Sequence, residues 1–253
     1  VNSPGENRFK DHFSGHAAEY ARYRPAYPEA LYDWLADKSP ARFCAWDVAT
    51  GNGQAAVALA KRFDRVIATD GSARQIAEAI PAKNVEYRVE TAEHNSLGDR
   101  SVDLVTVAQA YHWFDHGAFL PQLQRVIKHA GIFAIWTYAL AEISNELDEV
   151  VRAFYAGPIA SYWPAERLLV EQGYRSLQFP WPELEVPDFL LQLDWSLGDL
   201  LGYLRTWSAV QRCQAATGND PVAGWEPAFD RAWGKACTRS VVWPMRVRAF
   251  RLG

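Results

Sequence analysis

The chain has 253 residues, of which 49% are hydrophobic and 22% charged, and a formal net charge of −4. This is ordinary globular composition, long enough for one α/β domain with a sizeable core, and no block of like charge provides the electrostatic footprint of a nucleic-acid binder. A small molecule is therefore the expected partner. No apolar run approaches the roughly 18 residues of a membrane helix, and the start lacks a basic-then-apolar leader. Cys44, Cys213 and Cys237 are odd in number and far apart, so reduced thiols in a cytoplasmic protein, without a membrane partner, are expected. Oligomeric state is not legible.

In chain order, residues 1–40 read as an N-terminal cover. Tyr20, Tyr23, Arg24 and Tyr27 lie in a polar-aromatic stretch interrupted by Pro25 and Pro28, which predicts a short helix ending near Tyr23, a turn, and a new helix starting at Pro28. Strand-like runs follow at Phe43–Ala49, Val66–Thr69, Val85–Val89, Val102–Ala108 and Ile132–Tyr138. Between them lie helical runs at Gln54–Phe63, Ser72–Ala79 and Phe119–Lys128. Ser72 followed by Gln75 has the form of a capping box. Such repeated βα units mean a doubly wound parallel sheet with helices on both faces. Residues 41–140 thus form a core, and 141–253 an insertion with closing strands. Eight of the eleven tryptophans fall at or after Trp136. In this half a helix is predicted over Glu142–Phe154, a strand over Phe189–Trp195, a helix over Leu197–Gln214, and a strand over Ser240–Leu252 broken by Pro244. No repeat or linker divides the chain.

The stretch with the clearest chemistry is FCAWDVATGNGQAA, Phe43 to Ala56, with Asp70 closing the next strand. Strand, glycine turn and helix in that order make a nucleotide-cofactor signature: Gly51 and Gly53 let a ligand approach the backbone, and Asp70 can accept from ribose hydroxyls. On its own the turn leaves the cofactor open, because Gly51-x-Gly53-x-x-Ala56 is also a permitted dinucleotide fingerprint. An NAD(P)-dependent oxidoreductase is one rival reading, and a cofactor-binding regulatory protein without turnover is another. The fourth strand ends in AQAYHWFD, Ala108 to Asp115, across the crevice where strand order should reverse.

Taken together, FSGHAAEYARYRPAYP, WDVATGNGQ, Asp70, TAEHNSLGDRSVDLV, AQAYHWFD and RVIKHAGIFAIW, spanning Phe13 to Trp136, resemble the class I S-adenosylmethionine-dependent methyltransferases. They are most like the group that includes trans-aconitate methyltransferase; GYLRTWSAVQR, Gly202 to Arg212, adds to the likeness. The resemblance implies a Rossmann-like, mostly parallel seven-stranded sheet with an N-terminal helical cover and a helical, Trp-rich insertion. It also implies S-adenosylmethionine as cofactor and a small-molecule acceptor. Asp47, Thr50, Gly51 and Gly53 match the loop for the methionine part, Asp70 the ribose ligand with Gly71, Ser72 and Gln75 beside it, and Ala92 and Glu93 the adenine-flanking position. Gln109 and Ala110 match the segment beneath the sulfonium; Tyr20 and Arg24 match the cover. The family usually has Gly where Ala49 stands, and alanine is expected to fill that place in β or αR space without strain. Asp47→Ala is expected to abolish cofactor binding.

On the substrate side, His112 is the candidate general base, set against a role in merely shaping the pocket. Tyr111 and Trp113 can offer π faces to a sulfonium. Carboxyl O-methylation is the first expectation, because a carboxylate needs no base but does need cations or donors to hold it. Arg24 and Arg205 are the foremost candidates, with Trp207 beside them, while Arg167 reads better as a surface salt-bridge partner. His12 with His16, and His112 with His116, have i, i+4 spacing, yet neither pair has a third ligand, so no metal is expected.

Overall fold

The computed structural model describes Tyr23 and residues 25–253. His12, His16, Tyr20 and Arg24 lie outside the described residues. Seven strands form one sheet in the order β3-β2-β1-β4-β5-β7-β6. They are β1 (Cys44–Val48), β2 (Arg65–Asp70), β3 (Val85–Val89), β4 (Val102–Ala108), β5 (Ile127–Tyr138), β6 (Leu190–Trp195) and β7 (Arg239–Arg251). The first five are parallel, and β7 runs antiparallel to both β5 and β6. Successive strands run outward from β1 to β3 and then restart on its other side with β4. The sequence order therefore reverses between β1 and β4, which is where a doubly wound sheet opens its ligand crevice.

Burial on both faces explains the near-continuous apolar reading of β1 and β4. Alternation along β1 sends Ala45 to one core, with Leu31 and Leu35 of helix α1 (Glu29–Lys38), and sends Trp46 and Val48 to the other, with Phe119 and Leu123 of α4 (His116–Val126). Asp47 must then share the Ala45 face, beneath the crevice. Helices α2 (Gln54–Leu59) and α3 (Ala73–Ala77) follow β1 and β2. Ser72 caps the latter by accepting the Gln75 amide at 3.3 Å.

The Trp-rich half forms a helical layer from α5 (Asn145–Ala156), α6 (Arg167–Glu171), α7 (Leu197–Arg205), α8 (Ser208–Thr217) and α9 (Glu226–Trp233). Most of its tryptophans fill a core: Phe154 packs against Trp207 and Trp225, and Trp195 against Trp243. Two expectations are corrected here. The single helix over Leu197–Gln214 is two helices, because the Thr206 hydroxyl donates back to the Tyr203 carbonyl at 2.6 Å and Trp207 leaves helical conformation with ψ 136°. Nor does Pro244 break β7. Pairing with β5 begins only at Met245, while Pro244 pairs with Leu190 and its carbonyl accepts the Ala139 amide, so the missing N–H costs the β5 ladder nothing.

Candidate active site

A cavity of about 180 Å³ occupies the crevice at the carboxyl ends of β1, β2, β3 and β4. Thr50 and Gly51 come from the first loop; Asp70, Gly71, Ser72 and Gln75 from the second; Ala92 and Glu93 from the third; Gln109 and Ala110 from the fourth. All ten line it. Pro25, Tyr27, Phe114 and Tyr138 also line it and were missed. Tyr138 had a usable signal, as the last residue of a strand beside the crevice.

Asp70 is the corner of this cavity. It is 8% exposed; one carboxylate oxygen accepts the Gly51 amide at 2.9 Å and the other the Ser72 amide at 2.8 Å. A carboxylate at such a corner is the group type that can accept from ligand hydroxyls. Among the described residues lining the cavity there is no Lys or Arg, whereas Asp70, Glu90 and Glu93 are acidic. That acidic lining suits a ligand carrying cationic groups and vicinal hydroxyls.

Across Gln109, Trp113 and Tyr138 the cavity adjoins a smaller one of about 50 Å³, lined further by His112, Trp163, Arg167, Tyr203, Trp207 and Ser208. Three of the residues expected on the substrate side, His112, Trp113 and Trp207, are therefore brought together. Two are not. Tyr111 is 1% exposed and turned into the core, stacked on His116 and edge-on to Phe119. Arg205 is held by Asp220 at 2.8 Å and Glu226 at 2.6 Å, outside both cavities. The cation that lines the smaller cavity is Arg167, with its guanidinium 4.8 Å from the Trp163 ring centroid and its Nε donating to the Tyr155 hydroxyl at 3.0 Å. Tyr155 is tied in turn to Glu171. Among the described residues Arg167 has no carboxylate partner, which overturns its reading as a surface salt-bridge residue.

A family profile described as a methyltransferase domain matches residues 46–135. A Dictyostelium discoideum protein named as a methyltransferase is 34% identical over 209 residues, covering 81% of this chain and 80% of that one. The solved structure of a protein named as a type II methyltransferase, from Anaeromyxobacter dehalogenans, is 44% identical with TM-score 0.84, covering 90% of this chain and 98% of that one. The chain belongs to the class I methyltransferases. It is an enzyme whose family uses S-adenosylmethionine. A Mycobacterium tuberculosis protein also named as a methyltransferase is 31% identical over 153 residues, covering 55% of this chain and 61% of that one.

Within this methyltransferase the loop after β1 differs from expectation at three places. Asp47 is 1% exposed and does not line the cavity. Its oxygens accept the Thr50 hydroxyl at 2.6 Å and the Thr106 hydroxyl at 2.8 Å, so it acts by holding the loop. Burial pushes its pKa up to about 6, against the pull of those two hydroxyls. Gly53 does not line the cavity either: at φ 86° an added Cβ would lie 2.2 Å from the Tyr87 hydroxyl, so this glycine serves the approach of Tyr87.

Ala49 is the third. Its φ of 53° is left-handed, not β or αR, because the chain must turn sharply for the Thr50 amide to reach the Thr69 carbonyl and the Thr50 hydroxyl to reach Asp47. Gln109, at the end of the adjacent β4, has φ 57°, with its side-chain oxygen accepting the Thr137 hydroxyl at 2.7 Å. Left-handed strain at a non-glycine residue costs ~1–2 kcal/mol, offset in part by the ~0.4–1 kcal/mol that glycine costs through the unfolded chain. Ala49→Gly is accordingly expected to stabilise the protein by about 0.5–1 kcal/mol; a lower urea midpoint would contradict this.

The i, i+4 histidines diverge. His112 Nδ1 lies 3.0 Å from the Tyr174 hydroxyl, while His116 Nε2 lies 3.0 Å from the Tyr111 carbonyl. Among the described residues no cluster of three or more His, Cys, Asp or Glu side chains could hold a metal ion, and no helix is long and apolar enough to cross a membrane.

Proposed function

We propose that this enzyme transfers the methyl group of S-adenosylmethionine to a carboxylate oxygen of a small molecule, as in the trans-aconitate methyltransferase group. The observation that carries the acceptor class is the smaller cavity, whose only charged lining side chain among the described residues is Arg167. It opens beside the larger cavity along the shared wall of Gln109, Trp113 and Tyr138.

On this reading Asp70 takes the ribose hydroxyls, Thr50 and Gly51 the methionine end, and Ala92, Glu93 and Phe114 the adenine. When bound, the cofactor would supply an electrophilic methyl on a sulfonium, which the acceptor oxygen would take as the sulfur left as a neutral thioether. A carboxylate is already ionised at neutral pH, so the chain's task is to orient it and exclude water. Arg167 binds one end of the anion, held rigid by Trp163 and Tyr155, and Trp207 with Tyr203 wall the space. Volume limits what enters: about 50 Å³ accommodates a carboxyl end, with the rest of the acceptor extending outward.

The test is transfer of labelled methyl across a panel of carboxylic acids, phenols and amines. Base-labile methyl esters from acids are expected. A hydrogen-bonded charge is worth ~1.5–3 kcal/mol, so Arg167→Ala should raise KM for the acid roughly 10- to 100-fold while S-adenosylhomocysteine affinity stays within about twofold. Methylation of phenols or amines alone, or indifference to Arg167→Ala, would reject the carboxylate reading.

A further inference from the structure

The structure carries a second-layer feature that bears on how the acceptor is handled. Helix α6 is followed, after Gln172, by Gly173 at φ 58°, an ordinary helix stop, but the next residue, Tyr174, is also left-handed at φ 59°. For a bulky side chain this is an outlier, and it is held from outside: Arg248 of β7 donates to the Tyr174 carbonyl at 2.6 Å and to the Leu177 carbonyl at 2.8 Å, while Glu183 pairs with its guanidinium. The turn drives the Tyr174 ring into the core, fully buried, with its hydroxyl 3.0 Å from His112 Nδ1.

Which group donates across that contact follows from counting hydrogens. Were Nδ1 the donor, the Tyr174 hydrogen would be left unmatched in a fully buried place, since His112 is the hydroxyl's only side-chain partner among the described residues. Burial pushes the phenol's pKa strongly upward, so the phenol keeps a hydrogen to give. The phenol's own hydrogen is thereby directed to Nδ1.

We infer that Tyr174 is a positioning residue that fixes neutral His112 with its hydrogen on Nε2, so that His112 meets the acceptor in the smaller cavity as a hydrogen-bond donor and not as a general base. The inference rests on the reading that this cavity receives the acceptor. Its chemical consequence is selective. A donor beside Arg167 suits an anion that already has its lone pair exposed; a phenol, alcohol or ammonium group would need a base that this tautomer withholds.

The experiment has a spectroscopic and a kinetic arm, both on the full chain. Nitrogen-15 spectra of histidine-labelled protein with S-adenosylhomocysteine, assigned by the signal lost in His112→Gln, are expected to show His112 as the Nε2–H form. In Tyr174→Phe the ring should exchange between both forms. Detection of the Nδ1–H form in the unsubstituted protein overturns the inference even if esters are formed, and leaves the proposed reaction standing. In the kinetic arm the glutamine amide stands in for Nε2–H but cannot act as a base. His112→Gln should therefore keep at least a tenth of kcat with a carboxylic acid, while His112→Ala loses more than tenfold beyond that. Tyr174→Phe should lower kcat about 5- to 10-fold without weakening cofactor binding. Equal loss in His112→Gln and His112→Ala overturns the donor role. If no acid is methylated, the proposed reaction fails by itself, and the spectra still decide what Tyr174 does to His112.

Discussion

Replacing Asp70 with alanine is expected to weaken S-adenosylhomocysteine binding by two to three orders of magnitude. Two effects add. The carboxylate oxygens receive the Gly51 and Ser72 amides at 2.9 Å and 2.8 Å, so the substitution frees the loops after β1 and β2 together. It also removes the acceptor that the ribose hydroxyls would meet. Hydrogen bonds to a charged group are worth ~1.5–3 kcal/mol, and losing one on the ligand plus part of the loop order gives about 3–4 kcal/mol, or roughly 10²- to 10³-fold. Calorimetric titration measures it, with thermal unfolding as the check that the sheet survives. An affinity within about threefold of the parent would mean that Asp70 only builds the loops.

Asp47 is expected to behave in the opposite way, as a residue whose main signature is in stability. Its folded pKa of about 6 stands above the ordinary 3.8 because burial disfavours its charge. The sign follows directly: the native state favours the protonated form, so this contribution is complete below about pH 3.8 and is lost as pH rises through about 6. The gap is worth on the order of 3 kcal/mol. Asp47→Asn, which carries no charge, should therefore gain on the parent by about 2–3 kcal/mol between pH 4 and pH 8 in urea titrations of the cofactor-free protein. Its cofactor affinity should fall by about tenfold, because Thr50 loses a charged partner, not a ligand contact. A pH-independent stability difference would show that Asp47 is already ionised in the native state at pH 4, and loss of all binding would restore the direct role expected from sequence.

The parallel half of the sheet was legible because period and punctuation agreed. Five apolar runs, most of them followed by turn residues and a helix, fit a doubly wound sheet. Asp70, Thr50 and Gly51 were legible because loops at the carboxyl ends of strands have little freedom once the strand order is known. Other positions failed for local reasons. Tyr111, His112 and Trp113 form a 3₁₀ turn, in which successive side chains diverge by about 120°. The first enters the core and the next two line the cavity, and sequence adjacency hid this.

That Arg167 and not Arg205 lines the smaller cavity has a different reason. The Thr206 hydroxyl bond that breaks α7 from α8 brings Tyr203, Trp207 and Ser208 to the cavity while Arg205 points to Asp220 and Glu226. No periodic pattern encodes such a break. Ala49 was misjudged because chain direction outranked intrinsic preference: the loop needs a left-handed residue there whether or not glycine supplies it.

Strand β7 pairs with β5 through Met245–Arg251 and with β6 through Arg239–Pro244. The larger cavity draws chiefly on residues 49–114, whereas Trp163, Arg167, Tyr203, Trp207 and Ser208 all follow β5 in the chain. This strand thus ties two separately encoded halves through backbone ladders that are indifferent to side-chain identity, alongside side-chain contacts such as His112 with Tyr174. On the proposed reading, evolution or an engineer can rewrite the later residues behind that tie and retarget the enzyme while the loops of the larger cavity are largely kept.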